Sequence, residues 1–155
     1  MSTRSPWMKR FFLDCEFTDF AHRDLISLAI VSEEADEFYV ELTDFTEKHC
    51  SDFVRATVLP QLGHYPERRM NRSLAASKLS TWLADFALKP RPVLCFDYAG
   101  DLELLEALAG ALPKGWKTQF SGLRVDLAKT EAWFQAHGGR HHALMDARAK
   151  VASFV

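Results

Sequence analysis

Apolar and polar positions fall into two regimes along this chain, strand-like at first and helical later. Residues 10–17 form a mostly apolar run. Leu25 to Val31 (Leu-Ile-Ser-Leu-Ala-Ile-Val) forms a second, and Glu37 to Leu42 alternates polar with apolar residues. Asp24 and the Glu33-Glu34-Ala35-Asp36 stretch lie near the turns. Three strands in succession, joined by short polar segments, predict an antiparallel meander.

The spacing then becomes helical. Ser51 to Leu59 carries apolar residues at Phe53, Val54, Val58 and Leu59 and stops at Pro60. After a polar loop containing Arg68, Arg69 and Arg72, Ser73 is placed to cap a longer helix with Leu74, Leu79, Trp82, Leu83 and Phe86 on one face. Pro90 and Pro92 end it, and Val93-Leu94-Cys95-Phe96 reads as a fourth strand. Asp101 to Leu112 predicts another helix, and Lys117 to Leu127 is ambiguous, with room for a fifth strand. Glu131 to Ala136 is helical before Gly138-Gly139, and Met145 to Phe154 predicts a final helix. Strands first, then strand–helix alternation, imply an α/β protein: a central mixed sheet with helices on its faces. No repeat or linker divides the pattern, so residues 1–155 read as one domain.

At 155 residues such a domain buries roughly two-thirds of its unfolded surface. A composition of 48% hydrophobic and 26% charged residues is ordinary for a globular protein. The net charge of −2 argues against a coat of basic charge for non-specific nucleic-acid binding, yet leaves room for a local groove. Cys15, Cys50 and Cys95 are odd in number and lack a C-x-x-C spacing, which favours reduced, packed thiols over a zinc site or a disulfide. Arg4, Lys9 and Arg10 precede only a short apolar run, Phe11 to Leu13, which is too short for a signal-peptide core. No stretch approaches a membrane span, so a cytoplasmic location is expected.

Onto this scaffold the chain places acids in a definite order. Asp14 and Glu16 are two apart on the first strand and share a face, while Leu13, Cys15 and Phe17 face the other way. Paired carboxylates in an apolar strand repel and are costly to desolvate without a cation, although a solvated strand face would also explain them. Asp101 starts a helix after the fourth strand. That is an ordinary capping position, but also the crossover where ligands collect in open α/β sheets. Asp97 sits at that strand's end. Asp146 falls in the first turn of the last helix, and His141 lies five residues earlier, after Gly138-Gly139. A loop histidine beside a metal cluster can take a proton from water; exposed loop histidines account equally for His141-His142, and spacing alone does not choose between the two. Arg68, Arg69 and Arg72 read first as a solvated loop and second as the edge of a phosphate-tracking groove, and Trp7 and Trp133 as residues of a core or an interface before a base stack.

Taken together these residues resemble the DEDDh 3′-to-5′ exonucleases, which have a ribonuclease H-like fold. Asp14-Cys15-Glu16 resembles their first motif, Asp97-x-x-x-Asp101 the second and His141-x-Ala143-Leu144-x-Asp146 the third. The short bacterial and phage exoribonuclease branch is most similar, through Phe12-Leu13-Asp14-Cys15-Glu16-Phe17, Val54-Arg55-x-x-Val58-Leu59-Pro60 and the Ala147-Arg148 that follow the third motif. Two departures stand out: many such enzymes have Asn where Asp97 stands and an aromatic residue where Gly100 stands.

The resemblance implies that Asp14, Glu16, Asp101 and Asp146 hold two Mg²⁺ or Mn²⁺ ions, hard cations suited to oxygen ligands. It selects His141 over His142 as the general base. It also places Phe17, Thr18 and Asp97 on the terminal nucleotide and implies release of nucleoside 5′-monophosphates from single-stranded 3′ ends or overhangs. RNA is favoured over DNA by the branch alone, and a homodimer is compatible with it. The competing expectations are a 3′-to-5′ DNA exonuclease of proofreading or repair type, and a catalytically silent nucleic-acid-binding module on the same fold.

Overall fold

A computed structural model of the chain describes residues 7–88 and 90–155; Arg4 lies outside them. Among the described residues, three strands run antiparallel in succession: β1 (Met8–Phe17), β2 (Leu25–Ser32) and β3 (Glu37–Leu42). Two further strands, β5 (Arg91–Phe96) and β6 (Lys117–Phe120), extend the sheet in parallel on the other side of β1. A two-residue strand, β4 (Arg69–Met70), closes the far edge against β3, giving the order β4-β3-β2-β1-β5-β6. The helices are α1 (Asp52–Thr57), α2 (Arg72–Asp85), α3 (Ala99–Ala109), α4 (Leu127–His137) and α5 (Ala143–Ser153).

The near-continuous apolar run of β1 follows from its place in the middle of the sheet, covered on both faces. Phe11, Leu13 and Cys15 face a core shared with Leu79 and Leu83 of α2 and Leu104, Leu105 and Leu108 of α3. Phe11 meets Trp82, Phe86 and Trp116 at ring centroid distances of 5.7, 5.2 and 4.8 Å. The Trp116 indole donates to the Leu83 carbonyl at 2.8 Å, so its polar atom is satisfied inside this core. On the opposite face, Ala29, Val31 and Tyr39 pack on Ala143, Leu144 and Ala147 of α5. Alanines at the contact let α5 approach the sheet closely, which brings its polar side chains to the acids of β1.

Several boundaries shift for identifiable reasons. Asn71, rather than Ser73, caps α2: its side chain accepts from the Leu74 N–H at 2.9 Å. Arg72 enters the helix because its N–H is taken by the Asp44 carboxylate and its guanidinium by Asp24 at 3.0 Å. The ambiguous 117–127 stretch contains β6, then turns into α4. Pro92 does not end the preceding helix from outside; it lies within β5. The Arg91 N–H donates toward β1, to Trp7 O, so the N–H that Pro92 lacks would face β6, which pairs only from Val93 onward. The three cysteines are free and buried, and among the described residues no helix is long and apolar enough to cross a membrane.

Candidate metal centre

The pairing of β1 with β5 runs from Met8↔Arg91 to Phe12↔Cys95 and stops there. Beyond that point β1 continues alone toward its acids, and α3 enters the fork between the two strands. The Cys15 N–H, freed from the ladder, donates to Asp101 Oδ2 at 3.3 Å. Tyr98, not Asp101, occupies the helix-capping position, so Asp101 is free to reach β1 from the first turn.

Asp14 and Glu16 emerge on the face covered by α5, and Asp146 comes to them from the first turn of that helix. Each of Asp14, Glu16 and Asp146 offers an oxygen within 4.8 Å of the others. Asp101, 3% exposed, borders this trio without belonging to it. Asp14 Oδ2 is buried without a hydrogen-bond partner. Converging hard oxygens, one of them unsatisfied, suit a divalent cation such as Mg²⁺ or Mn²⁺.

Electrostatics point the same way. Burial, then repulsion from Asp14, Asp146 and Asp101, pushes the Glu16 carboxyl up to about 10. Burial and Asp14 raise Asp101 to about 8, and burial and Asp14 raise Asp146 to about 7. Asp14 is raised too, because its burial outweighs the help of a neighbouring ammonium. Without a cation, the cluster holds protons that carboxylates normally shed.

That ammonium belongs to Lys150, a residue that sequence reasoning missed. It lies one helical turn after Asp146 and so shares its face of α5. Its Nζ donates to Asp14 Oδ1 at 2.8 Å, to Asp97 Oδ1 at 2.9 Å and to the Leu13 carbonyl at 2.8 Å. The i, i+4 spacing from Asp146 was the available signal.

The adjacent histidines have opposite settings. His141 has a left-handed backbone, φ 67°, and its N–H donates to Asp146 Oδ1 at 3.1 Å. Its ring stands edge-on to Phe53 at 4.9 Å and lines a cavity of about 350 Å³ together with Asp14, Asp97, Arg140, Asp146 and Lys150. Burial and the Arg140 charge lower its pKa, favouring the neutral imidazole. His142 is buried instead, with Nε2 3.2 Å from the Tyr39 hydroxyl, which donates to Glu41 Oε2 at 2.6 Å. It is tied into the wall and does not line the cavity.

Phe17, at the end of β1, lies near-parallel to Tyr98 at 6.0 Å and edge-on to the exposed Phe20 at 5.2 Å. A Cβ at Gly100 would run into the Tyr98 ring and Arg23, so the bare position makes room for Tyr98. Thr18 is fully buried; its hydroxyl donates to His22 O at 2.6 Å and accepts from the Asp24 N–H at 3.1 Å, which commits it to the turn. Arg69 and Arg72 lie beside Glu41 and Asp24, and Trp133 stacks on His137 at 4.3 Å.

No family model matches the chain. Two Mycobacterium tuberculosis proteins named 3′-5′ exoribonuclease, from strains CDC 1551 and H37Rv, are each 39% identical to it over 54 residues. The match spans 34% of this chain and 32% of each relative, about a third of the relatives' length. Among solved structures, cell-death related nuclease 4 superposes with a TM-score of 0.55 at 15% identity, covering 94% of this chain and 62% of that one. That likeness establishes a ribonuclease H-like fold: a mixed sheet with an antiparallel meander and parallel strands, flanked by helices.

Proposed function

We propose that residues 1–155 form a single nuclease domain of DEDDh type that removes nucleotides from the 3′ ends of single-stranded nucleic acid, RNA in preference to DNA. The observation that carries this is the meeting of Asp14, Glu16 and Asp146 oxygens within 4.8 Å, in a buried setting bordered by Asp101. The relatives' names and the shared fold support the reaction class, and the preference for RNA rests on those names and on the motif resemblance.

In this reading Asp14, Glu16, Asp101 and Asp146 hold two Mg²⁺ or Mn²⁺ ions. When bound, such ions supply Lewis acidity toward the phosphate and stabilise charge on the attacking and leaving oxygens. His141, neutral and facing the cavity, accepts a proton from the attacking water, while its backbone N–H holds Asp146. The new P–O bond forms as the bond to the 3′-oxygen of the penultimate nucleotide breaks, releasing a nucleoside 5′-monophosphate. Phe17 stacks on the terminal base, with Tyr98 behind it, and Thr18 shapes the turn beneath. Asp97 acts on the substrate's last nucleotide from the cavity wall.

The test is an assay on 5′-labelled single-stranded RNA and DNA of matched sequence, in Mg²⁺, Mn²⁺ or EDTA. A one-nucleotide ladder shortening from the 3′ end, stronger on RNA and absent in EDTA, is the expected result. Equal or greater cutting of DNA moves the protein to the repair-type alternative. Nucleic-acid binding with no ladder in either metal leaves a silent module.

A further inference from the structure

The divalent site described above is crossed by a side chain that its chemistry does not require. Lys150 is a long, flexible residue that would ordinarily extend into water. Here its side chain is only 15% exposed, and its ammonium donates to two oxygens of β1 and to one of Asp97, just past the end of β5. Leu13 O and Asp14 belong to β1, and Asp97 follows β5, so Lys150 bridges the fork where those strands part. Asp14 divides its two oxygens: Oδ1 is held by the ammonium, and Oδ2 has no hydrogen-bond partner. An acid that shares one oxygen with a fixed cation has the other left for a divalent ion. It does not bridge two such ions until the ammonium withdraws.

Resting on the metal-dependent reading of the same site, we propose that Lys150 is a positioning residue that serves as the internal counter-cation of the centre. It fixes Asp14 and Asp97 before substrate arrives and restricts the nucleic-acid-free protein to one divalent ion, held by Asp14, Glu16 and Asp146. The second ion enters only with the phosphate of the substrate, whose negative charge compensates the repulsion between ion and ammonium. Withdrawing Lys150 from Asp14 is therefore part of loading the reactive complex.

Titration calorimetry with Mn²⁺ on the full chain, free of nucleic acid, tests this without any turnover. The wild-type protein should bind one equivalent, and Lys150→Met two, or a second equivalent at least about tenfold tighter than the wild type allows. Asp97→Ala, which removes one of the three acceptors and keeps the lysine, should bind the second ion with intermediate affinity. It carries the test by itself if Lys150→Met does not fold. In EDTA, Lys150→Met should melt lower than wild type and regain more on Mn²⁺ addition, because Asp14 loses its only cationic partner among the described residues. Two equivalents in the wild-type protein, or unchanged stoichiometry and affinity in both variants, overturns the role of Lys150 and leaves the metal site intact. Absence of any Mn²⁺ binding by the folded wild type overturns the metal-dependent reading along with it.

Discussion

Replacing Asp101 by Asn should stabilise the metal-free protein, and increasingly so as pH rises. Asp101 is 3% exposed, and its carboxyl is pushed up from 3.8 to about 8 by burial and by Asp14. Its folded value lies above its unfolded one, so between about pH 4 and pH 8 the native state binds more protons than the unfolded state, and stability falls as pH rises. Integrated over that window, ionising Asp101 in place costs on the order of 5 kcal/mol, an upper figure because local relaxation offsets part of it. Asn removes the ionisation while its side-chain carbonyl still accepts from the Cys15 N–H. At about 2–4 °C per kcal/mol for a chain of this size, thermal melts in EDTA at pH 8 should place Asp101→Asn up to about 20 °C above wild type. At pH 5, where the cost is roughly 1.5 kcal/mol, the gap should shrink to about 3–6 °C, and in saturating Mn²⁺ at pH 8 the order should reverse. A difference between the two proteins that is the same at pH 5 and pH 8 in EDTA would mean instead that Asp101 ionises at its ordinary value in the fold.

Three other outcomes follow from the geometry. EDTA, or Asp146→Asn in Mg²⁺, should abolish release of mononucleotides while leaving the circular dichroism spectrum unchanged; residual cutting above about 1% would place the essential ligands elsewhere. His141→Ala should lower turnover by about 10²–10⁴-fold with Mn²⁺ affinity nearly unaltered, whereas His142→Ala should destabilise by roughly 1–3 kcal/mol by stripping a partner from buried Tyr39, with turnover per folded molecule largely kept. An equally inactive His142→Ala would overturn the division of roles between the two rings. Gly100→Ala should displace Tyr98 and Arg23, raising KM for short oligonucleotides several-fold with little change in melting temperature; an unaltered KM would exclude the Phe17–Tyr98 pair from substrate binding.

Legibility in the sequence tracked burial. β3 spans the six residues that its alternation predicts, and β1 and β2 extend their apolar runs by one or two positions, because buried strands must be apolar. α4 was recognised only over Glu131 to Ala136, although it runs Leu127–His137; none of its residues is buried, so its polar positions carry little periodicity. β4 escaped entirely, since two residues hold no pattern and its pairing of Leu42 with Met70 is a tertiary event. The acids were legible through order and spacing, and the structure adds which of them converge: Asp14, Glu16 and Asp146, with Asp101 at the border. The two histidines could not be separated by spacing, because their difference lies in a left-handed backbone and a tyrosine 103 positions away. Lys150 was illegible for a related reason: a lysine late in a surface helix reads as a solvated group until its partners on other strands are seen.

Cys15 sits between the two acids of β1 and is fastened to a third. Its amide is bound by Asp101 Oδ2, its thiol contacts the Asp101 carbonyl, and burial with the charge of Asp101 raises its pKa well above normal. The thiol is therefore silent toward alkylating reagents in the folded protein. The amide is not silent: an N–H held by a carboxylate moves downfield in the proton dimension when that carboxylate loses its proton. A ¹⁵N label at this one position makes the backbone of β1 a spectroscopic reporter of charge in the metal centre, readable in an intact protein with no probe attached and no substrate present.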